Sequence, residues 1–310
     1  MRVLLWHVHG SYTTALVQGP HTYLLPVTAD RGPDGRGRAR TWDWPDSVLE
    51  LSPTEMGGAD VDVVVLQRPE ELDGLAEDWL GRRPGRDLPA VYLEHNAPEG
   101  AVNAMRHPAA DRPGIVVVHV THFNRLFWDT GAAETVVIEH GVVDPGHRYT
   151  GELERAAVVV NEPVRRGRVT GTDLLSMCRE ALPLDLFGMA SEALGGSDLT
   201  QPELHAELPR RRVYLHPVRW TSLGLSLIEA MHLGMPVVAL ATTEVVEAVP
   251  AGAGVVTNSL ERIVEALRHL GREPEEAMSM GKIGRSAALE RYGLDRFLRD
   301  WDRLLVEVTR

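Results

Sequence analysis

Between Val213 and Leu240 the chain sets Ser222, Gly224, Leu225, Ser226, Glu229, Gly234 and Pro236 at spacings that suit the binding of a phosphate and a sugar diol. The segment reads as strand, loop, helix, glycine stop and strand. Ser222 is placed to cap the helix, and Gly224 leaves room for a ligand close to the backbone. The first N–H groups of a helix have no partner within it and lie at its positive end. Those near Gly224, Leu225 and Ser226 would therefore point at a phosphate. Glu229 follows one helical turn later, where its carboxylate would accept hydrogen bonds from two adjacent hydroxyls. Gly234 ends the helix, and Pro236 fixes the entry to the next strand.

A second group of residues carries charge. Arg165, Arg166 and Arg168 lie after one apolar run and before a helical one, and guanidinium groups pair bidentately with phosphate oxygens. The competing reading is a solvated basic turn. His7 with His9, and His119 with His122, come in pairs. Neither pair has the spacing of a helical metal site or an accompanying carboxylate cluster, so hydrogen bonding in the core or a cleft is expected and no metal site. Trp42, Trp44, Phe123, Phe127 and Trp128 read as packing, with Asn124–Trp128 also in place to line a cleft.

The elements that must position these groups alternate along the chain. Strands are expected at Val3–Val8, Val61–Leu66, Ala90–Leu93, Ile115–Val120 and Thr135–Ile138. A second set is expected at Ala157–Val160, Leu184–Phe187, Val213–Leu215, Pro236–Ala239 and Gly254–Val256. Apolar runs without polar alternation suit strands buried on both faces of a parallel sheet. Helical spacing is clear in Leu225–Leu233, Leu260–Leu270 and Gly284–Val308, where Phe297, Leu298, Trp301, Leu304, Leu305 and Val308 share one face. This predicts an α/β fold of two doubly wound domains, with the break near Glu139–Gly146. Asp30–Arg40, rich in Gly and Arg and without a large apolar residue, reads as a surface loop whose composition permits disorder.

Composition excludes several classes. The chain has 310 residues and a formal charge of −12, which argues against a general binder of nucleic acid or membrane surfaces. One cysteine, Cys178, excludes an internal disulfide and a cysteine-based zinc site. Lys282 is the single lysine among 32 basic residues, which excludes a P-loop. No apolar run has the length of a signal-peptide core or a spanning helix, so a cytoplasmic location is expected.

Gly224-Leu225, Glu229-Ala230-Met231, Gly234 and Pro236-Val237-Val238 together resemble the donor-binding region of retaining GT-B-fold glycosyltransferases, family 4. Further segments resemble the family along most of the chain. They are Glu139-His140-Gly141-Val142, Phe187-Gly188, Gly252-Ala253-Gly254 and Glu94-His95-Asn96. The resemblance implies two Rossmann-like domains facing across a cleft. Residues 1–145 would be the acceptor side, 146–285 would bind the nucleotide sugar, and 286–310 would be a helix packing back on the first domain. By the same resemblance Glu229 would bind the ribose, Gly224 and Leu225 the diphosphate, and His95 the donor sugar. Gly188 would lie near the base, Arg165 and Arg168 on the diphosphate, and Gly10 and Ser11 near diphosphate and acceptor.

Two departures stand out. The family's first Glu falls at Thr221, and its phosphate Lys falls at Thr170, with Arg168 the substitute charge. The function implied is transfer of a sugar from a UDP- or GDP-linked donor to an unidentified acceptor. It would proceed with retention and without a metal or other cofactor, the developing charge being met by N–H donors and arginine. The alternatives are a degenerate nucleotide-sugar-binding accessory protein, suggested by Thr221, and an epimerase on the same fold. A dehydrogenase fits less well, since His9-Gly10-Ser11 is not the dinucleotide glycine fingerprint.

Overall fold

The computed structural model describes residues 1–310, the side chain of Asn103 excepted. Two compact units emerge, one of Met1–Val143 with Leu294–Arg310, the other of Asp144–Gly293. The sequence placed these breaks at 145/146 and 285/286.

The first unit carries seven strands: β1 (Arg2–Leu5), β2 (Thr22–Pro26), β3 (Val48–Leu51), β4 (Val63–Leu66), β5 (Ala90–Glu94), β6 (Ile115–His119) and β7 (Thr135–Val137). They form one parallel sheet in the order β3-β2-β1-β4-β5-β6-β7. Residues of β1, β4, β5 and β6 such as Leu4, Val64, Tyr92 and Val117 are buried in its core. Two of these strands, β2 and β3, are missing from the sequence expectation. The first is a short run closed by Pro26. The second is a four-residue edge strand in which only Val48 is buried, with Leu49 exposed and Glu50 on a polar partner, so it lacks the continuous apolar signal.

The second unit has five parallel strands: β8 (Leu153–Val159), β9 (Leu184–Phe187), β10 (Arg211–His216), β11 (Val237–Ala239) and β12 (Gly254–Val256). Their order is β12-β11-β10-β8-β9. Ala156, Val158, Leu186, Val213, Leu215 and Val238 pack there against Ile263 and Leu267 of the helix Leu260–Arg272.

Two further expectations are corrected. The helical stretch Gly284–Val308 is two helices, Pro274–Tyr292 and Leu294–Val308, separated by Gly293 in an extended conformation (φ −63°, ψ 142°). The second helix buries Phe297, Trp301, Leu304 and Leu305 in the first unit, where the Trp301 indole N–H donates to the Tyr12 hydroxyl at 2.9 Å. The loop Asp30–Arg40 is anchored rather than structureless. Arg31 pairs with Glu50 at 2.9 Å, Asp34 pairs with Arg68 at 2.9 Å, and the Gly37 N–H donates to the Pro26 carbonyl at 3.0 Å. Local composition signals disorder, but these tertiary partners lie outside any local window. No helix among the described residues is long and apolar enough to cross a membrane.

Candidate functional site

In an open parallel sheet the ligand crevice forms at the carboxyl ends of the strands where the winding reverses. In the second unit that point lies between β8 and β10. The segments leaving these two strands are held together by close backbone contact. Gly171 has φ +73°, and a Cβ there would lie 2.0 Å from the Pro217 carbonyl oxygen. The N–H groups of Arg219 and Trp220 donate to the Val169 carbonyl at 2.9 and 3.2 Å. The Thr242 hydroxyl donates to the Val218 carbonyl at 2.8 Å. Beside them the turn after β9 is equally tight: Gly188 has φ +128°, and a Cβ would sit 2.4 Å from the Val160 carbonyl oxygen.

The helix Leu225–Leu233 starts from this frame. Its N-cap is Gly224, in extended conformation, with no side-chain capping bond. Ser222, expected as the cap, lies two residues earlier and is buried. Capping needs a side-chain oxygen at the residue that precedes the first turn, and glycine supplies none. The N–H groups of Leu225 and Ser226 are thus left without a side-chain acceptor at the positive end of the helix. The Ser226 hydroxyl accepts from the Tyr214 hydroxyl at 2.9 Å. Thr221 is half-buried in the loop that leads in.

One turn beyond, Glu229 is 5% exposed. Its closest ionisable neighbour is His205, Nε2 to Oε2 3.8 Å. The Gln201 amide donates to that same nitrogen at 2.8 Å, so the lone pair of Nε2 faces Gln201 and the imidazole has no proton there for the carboxylate. A buried carboxylate ordinarily accepts several hydrogen bonds. Glu229 is therefore an acceptor site built without protein donors to match it.

The arginines lie on the loop after β8, each already paired. Arg165 forks onto Glu162, with Nε to Oε1 2.8 Å. Arg168 reaches Asp173 at 2.9 Å. Arg219, not singled out from the sequence, joins them: it reaches Asp173 Oδ2 at 3.0 Å and the Arg168 carbonyl at 2.8 Å. Its guanidinium is the largest influence holding the Asp173 carboxyl below the usual range, and Arg165 does the same for Glu162. The side chains of Arg165 and Arg168 are 69% and 77% exposed, so these ion pairs are screened and exchange a carboxylate for a phosphate at small cost. Thr170 is buried. Its hydroxyl donates to the Gly167 carbonyl at 3.1 Å and lies 3.0 Å from that of Thr172, so it staples the loop.

Two histidines escaped the sequence reading because a lone His at a strand end or on a helix carries no motif. One is His205. The other is His216, which ends β10 and is 1% exposed. Neither of its ring nitrogens has a hydrogen-bond partner, and burial drives its pKa down to about 4. The position of the Gly224 Cβ would be 2.8 Å from its Cε1.

The first unit holds the other expected residues at its own reversal point, between β1 and β4. Gly10 and Ser11 open the helix Gly10–Leu16 that follows β1. Gln67, leaving β4, donates its amide to the Trp6 carbonyl at 2.6 Å, which turns its Oε1 towards His95 Nε2 at 3.0 Å. That nitrogen therefore carries the proton, and burial holds His95 neutral by pushing its pKa well below the usual value. The rings of His9 and His95 lie 4.1 Å apart, and Tyr12 meets His95 edge-on at 4.6 Å. His7 donates from Nδ1 to the Gly37 carbonyl at 3.0 Å. His119 is buried, whereas His122 is exposed at the start of the helix His122–Phe127, so these two do not act together. Among the described residues no three His, Cys, Asp or Glu side chains are grouped as metal ligands.

Comparison with known proteins adds to this picture. Residues 195–287, which contain the helix Leu225–Leu233, match the family described as Glycosyl transferases group 1. No curated protein matches the chain in sequence. Among solved structures, a sucrose-phosphate synthase from Thermosynechococcus elongatus is similar with a TM-score of 0.76 at 14% identity, covering 99% of both chains. HepE of Anabaena, in complex with UDP-glucose, is similar with a TM-score of 0.69 at 15% identity, covering 99% of this chain and all of that one. A glycosyltransferase from Rickettsia africae gives 0.68 at 12% identity, covering 100% of this chain and 98% of that one. The fold is thus the GT-B type, built of two Rossmann-like units.

Proposed function

We propose that the protein is a nucleotide-sugar-dependent glycosyltransferase whose second unit binds the donor. The observation that carries this reading is Glu229, a buried carboxylate with no matched donor, one turn beyond an uncapped helix start at the reversal point of the sheet. Vicinal ribose hydroxyls supply the two donors that such a carboxylate lacks. The N–H groups of Leu225 and Ser226 take the diphosphate, with Arg165, Arg168 and Arg219 around it. Gly188 permits close approach of the base beside β9.

In the reaction the bond from the anomeric carbon to the diphosphate oxygen breaks, and the electron pair leaves with the nucleotide. A bond from an acceptor hydroxyl oxygen to that carbon forms, and the hydroxyl proton is lost to the leaving phosphate or solvent. Charge grows on the diphosphate, where preorganised N–H groups and guanidinium groups are strongest. We place this chemistry among metal-independent, retaining hexosyl transfers with a UDP- or GDP-linked donor, on the strength of the family likeness. His95, neutral and oriented by Gln67, would meet a sugar hydroxyl.

A second reading has its own observation. Thr221, which cannot carry the charge of an acid, favours a protein that binds a nucleotide sugar without transferring it. One experiment separates the two: titration with UDP, GDP and dTDP, followed by NMR of donor consumption with each nucleotide sugar. Binding with slow consumption of one donor, accelerated by an acceptor, supports the transferase. Tight binding with no consumption of any donor across acceptors supports the accessory protein. No nucleotide binding overturns both.

A further inference from the structure

The loop Asp30–Arg40 brings one unusual cation to the reversal point of the first unit. The Arg36 backbone is pinned by an antiparallel bridge to Val27, and its Nη1 donates to the Val8 carbonyl at 3.4 Å. The carboxylates of the same loop and of β3 pair with other arginines, Asp34 with Arg68 and Glu50 with Arg31. Among the described residues Arg36 forms no ion pair. Its guanidinium has five N–H donors, so most of the fork is open to a planar or tetrahedral anion. Arg36 is also close enough to act on both His7 and His9, opposing the charged form of each.

The surroundings suit a sugar. His7 gives its Nδ1 proton to the Gly37 carbonyl, which leaves Nε2 as an acceptor for a hydroxyl. The largely buried His9, its pKa lowered to about 4 mainly by burial, offers one donor and one acceptor at neutral pH. The Trp42 indole, half-buried, lies against Gly10: the position of a Gly10 Cβ is 3.5 Å from its Cζ2. An indole of this kind packs against the apolar C–H face of a pyranose ring.

We propose that the first unit holds an anionic sugar as acceptor, its carboxylate or phosphate on Arg36, its hydroxyls on His7 and His9, and its ring against Trp42. This rests on the reading of the protein as a glycosyltransferase and adds the class of its acceptor. A neutral acceptor would leave the Arg36 fork unmatched, and an anion without a ring would leave Trp42 unused.

The test is calorimetric titration of the full chain with glucose 6-phosphate, glucuronate, glucose and inorganic phosphate, for the wild type, Arg36→Gln and Trp42→Ala. At least one of the two anionic sugars should bind tenfold or more tighter than glucose, and the preferred one identifies phosphate or carboxylate as the group recognised. Arg36→Gln should bring that ligand down to the level of glucose. Trp42→Ala should weaken the anionic sugar and glucose alike. UDP or GDP affinity, measured on the same samples, should be unchanged in Arg36→Gln. The assignment is overturned by equal binding of charged and neutral sugars, by inorganic phosphate binding as tightly as the sugar anions, by undiminished binding in Arg36→Gln, or by no sugar binding at all. Loss of nucleotide and sugar anion together in Arg36→Gln would also overturn it. Failure of the wild type to bind any nucleotide is a separate result: it strikes the transferase and accessory readings and leaves the sugar-anion site to be judged by the sugar titrations.

Discussion

Glu229 Oε2 lies 3.8 Å from His205 Nε2, beyond hydrogen-bond reach, while the Gln201 amide occupies that nitrogen at 2.8 Å. A carboxylate that is buried and left unmatched in this way costs stability in the free protein. Glu229→Gln is therefore expected to leave the melting temperature unchanged or higher. It should weaken UDP or GDP by about 10- to 100-fold, since charge-assisted hydrogen bonds contribute roughly 1.5–3 kcal/mol each. Thermal melts and calorimetry on the same sample check both halves. Unchanged nucleotide affinity would remove the ribose role.

Arg168, exposed after β8, and Arg219, half-buried after β10, share Asp173. Substituting Arg168 with Ala should change stability by no more than about 1 kcal/mol, as exposed ion pairs contribute little, and Arg219→Ala should cost more because it also loses the bond to the Arg168 carbonyl. Affinity for the nucleoside diphosphate should fall several-fold, and affinity for the bare nucleoside should not. Equal losses for the two ligands would exclude a role at the phosphates.

Gly171 is the hinge of the site frame, because its left-handed conformation and its contact with Pro217 both exclude a side chain. Gly171→Ala combines backbone strain with a hard clash. It should cost on the order of 2 kcal/mol or more and separate the loops after β8 and β10. Denaturant titration reads the stability, and nucleotide affinity should fall even in a sample that remains folded.

Stability should depend on pH in a window set by buried histidines. Burial lowers His9 and His216 to about 4 and His119 to about 3. In the unfolded chain these groups take up protons near pH 6.5, so the unfolded state binds more protons below that value. Their contribution to stability is complete above pH 6.5 and is lost as pH falls from 6.5 towards 4, by roughly 3 kcal/mol for a group shifted like His216. The paired carboxylates of Asp144, Asp173 and Asp185 are held low by their arginines, so their contribution is lost only at more acid pH. Melts from pH 8 to 4 should show the decline starting near 6.5. In His216→Phe, which removes the titrating ring, the decline should be shallower.

Trp301 and Tyr12 close the first unit, with the indole N–H on the phenol oxygen at 2.9 Å and both rings buried. Removing one partner strands the other. Tyr12→Phe is expected to cost about 1–2 kcal/mol, and a double-mutant cycle with Trp301→Phe should show coupling. Additive losses would mean that the bond contributes nothing.

The local pattern of residues carried the α/β class, ten of the strands and the helix Leu225–Leu233 with its Gly234 stop. These are settled within a few residues by continuous apolar runs, helical spacing and glycine. The places of Gly224 at the start of that helix and of Glu229 one turn in were legible for the same reason, since a helix start is written in consecutive positions. The tertiary structure alone decided the rest. It recruited β2 and β3 through pairing with distant strands, ordered Asp30–Arg40 through Glu50, Arg68 and Pro26, and set Arg219 beside Arg168 through a loop 51 positions away. It also left Arg36 without an ion pair among the described residues, while Asp34 pairs with Arg68 and Glu50 with Arg31. Spacing along a chain can place a charge in a turn. Whether that charge is neutralised depends on which distant side chains the fold brings to it.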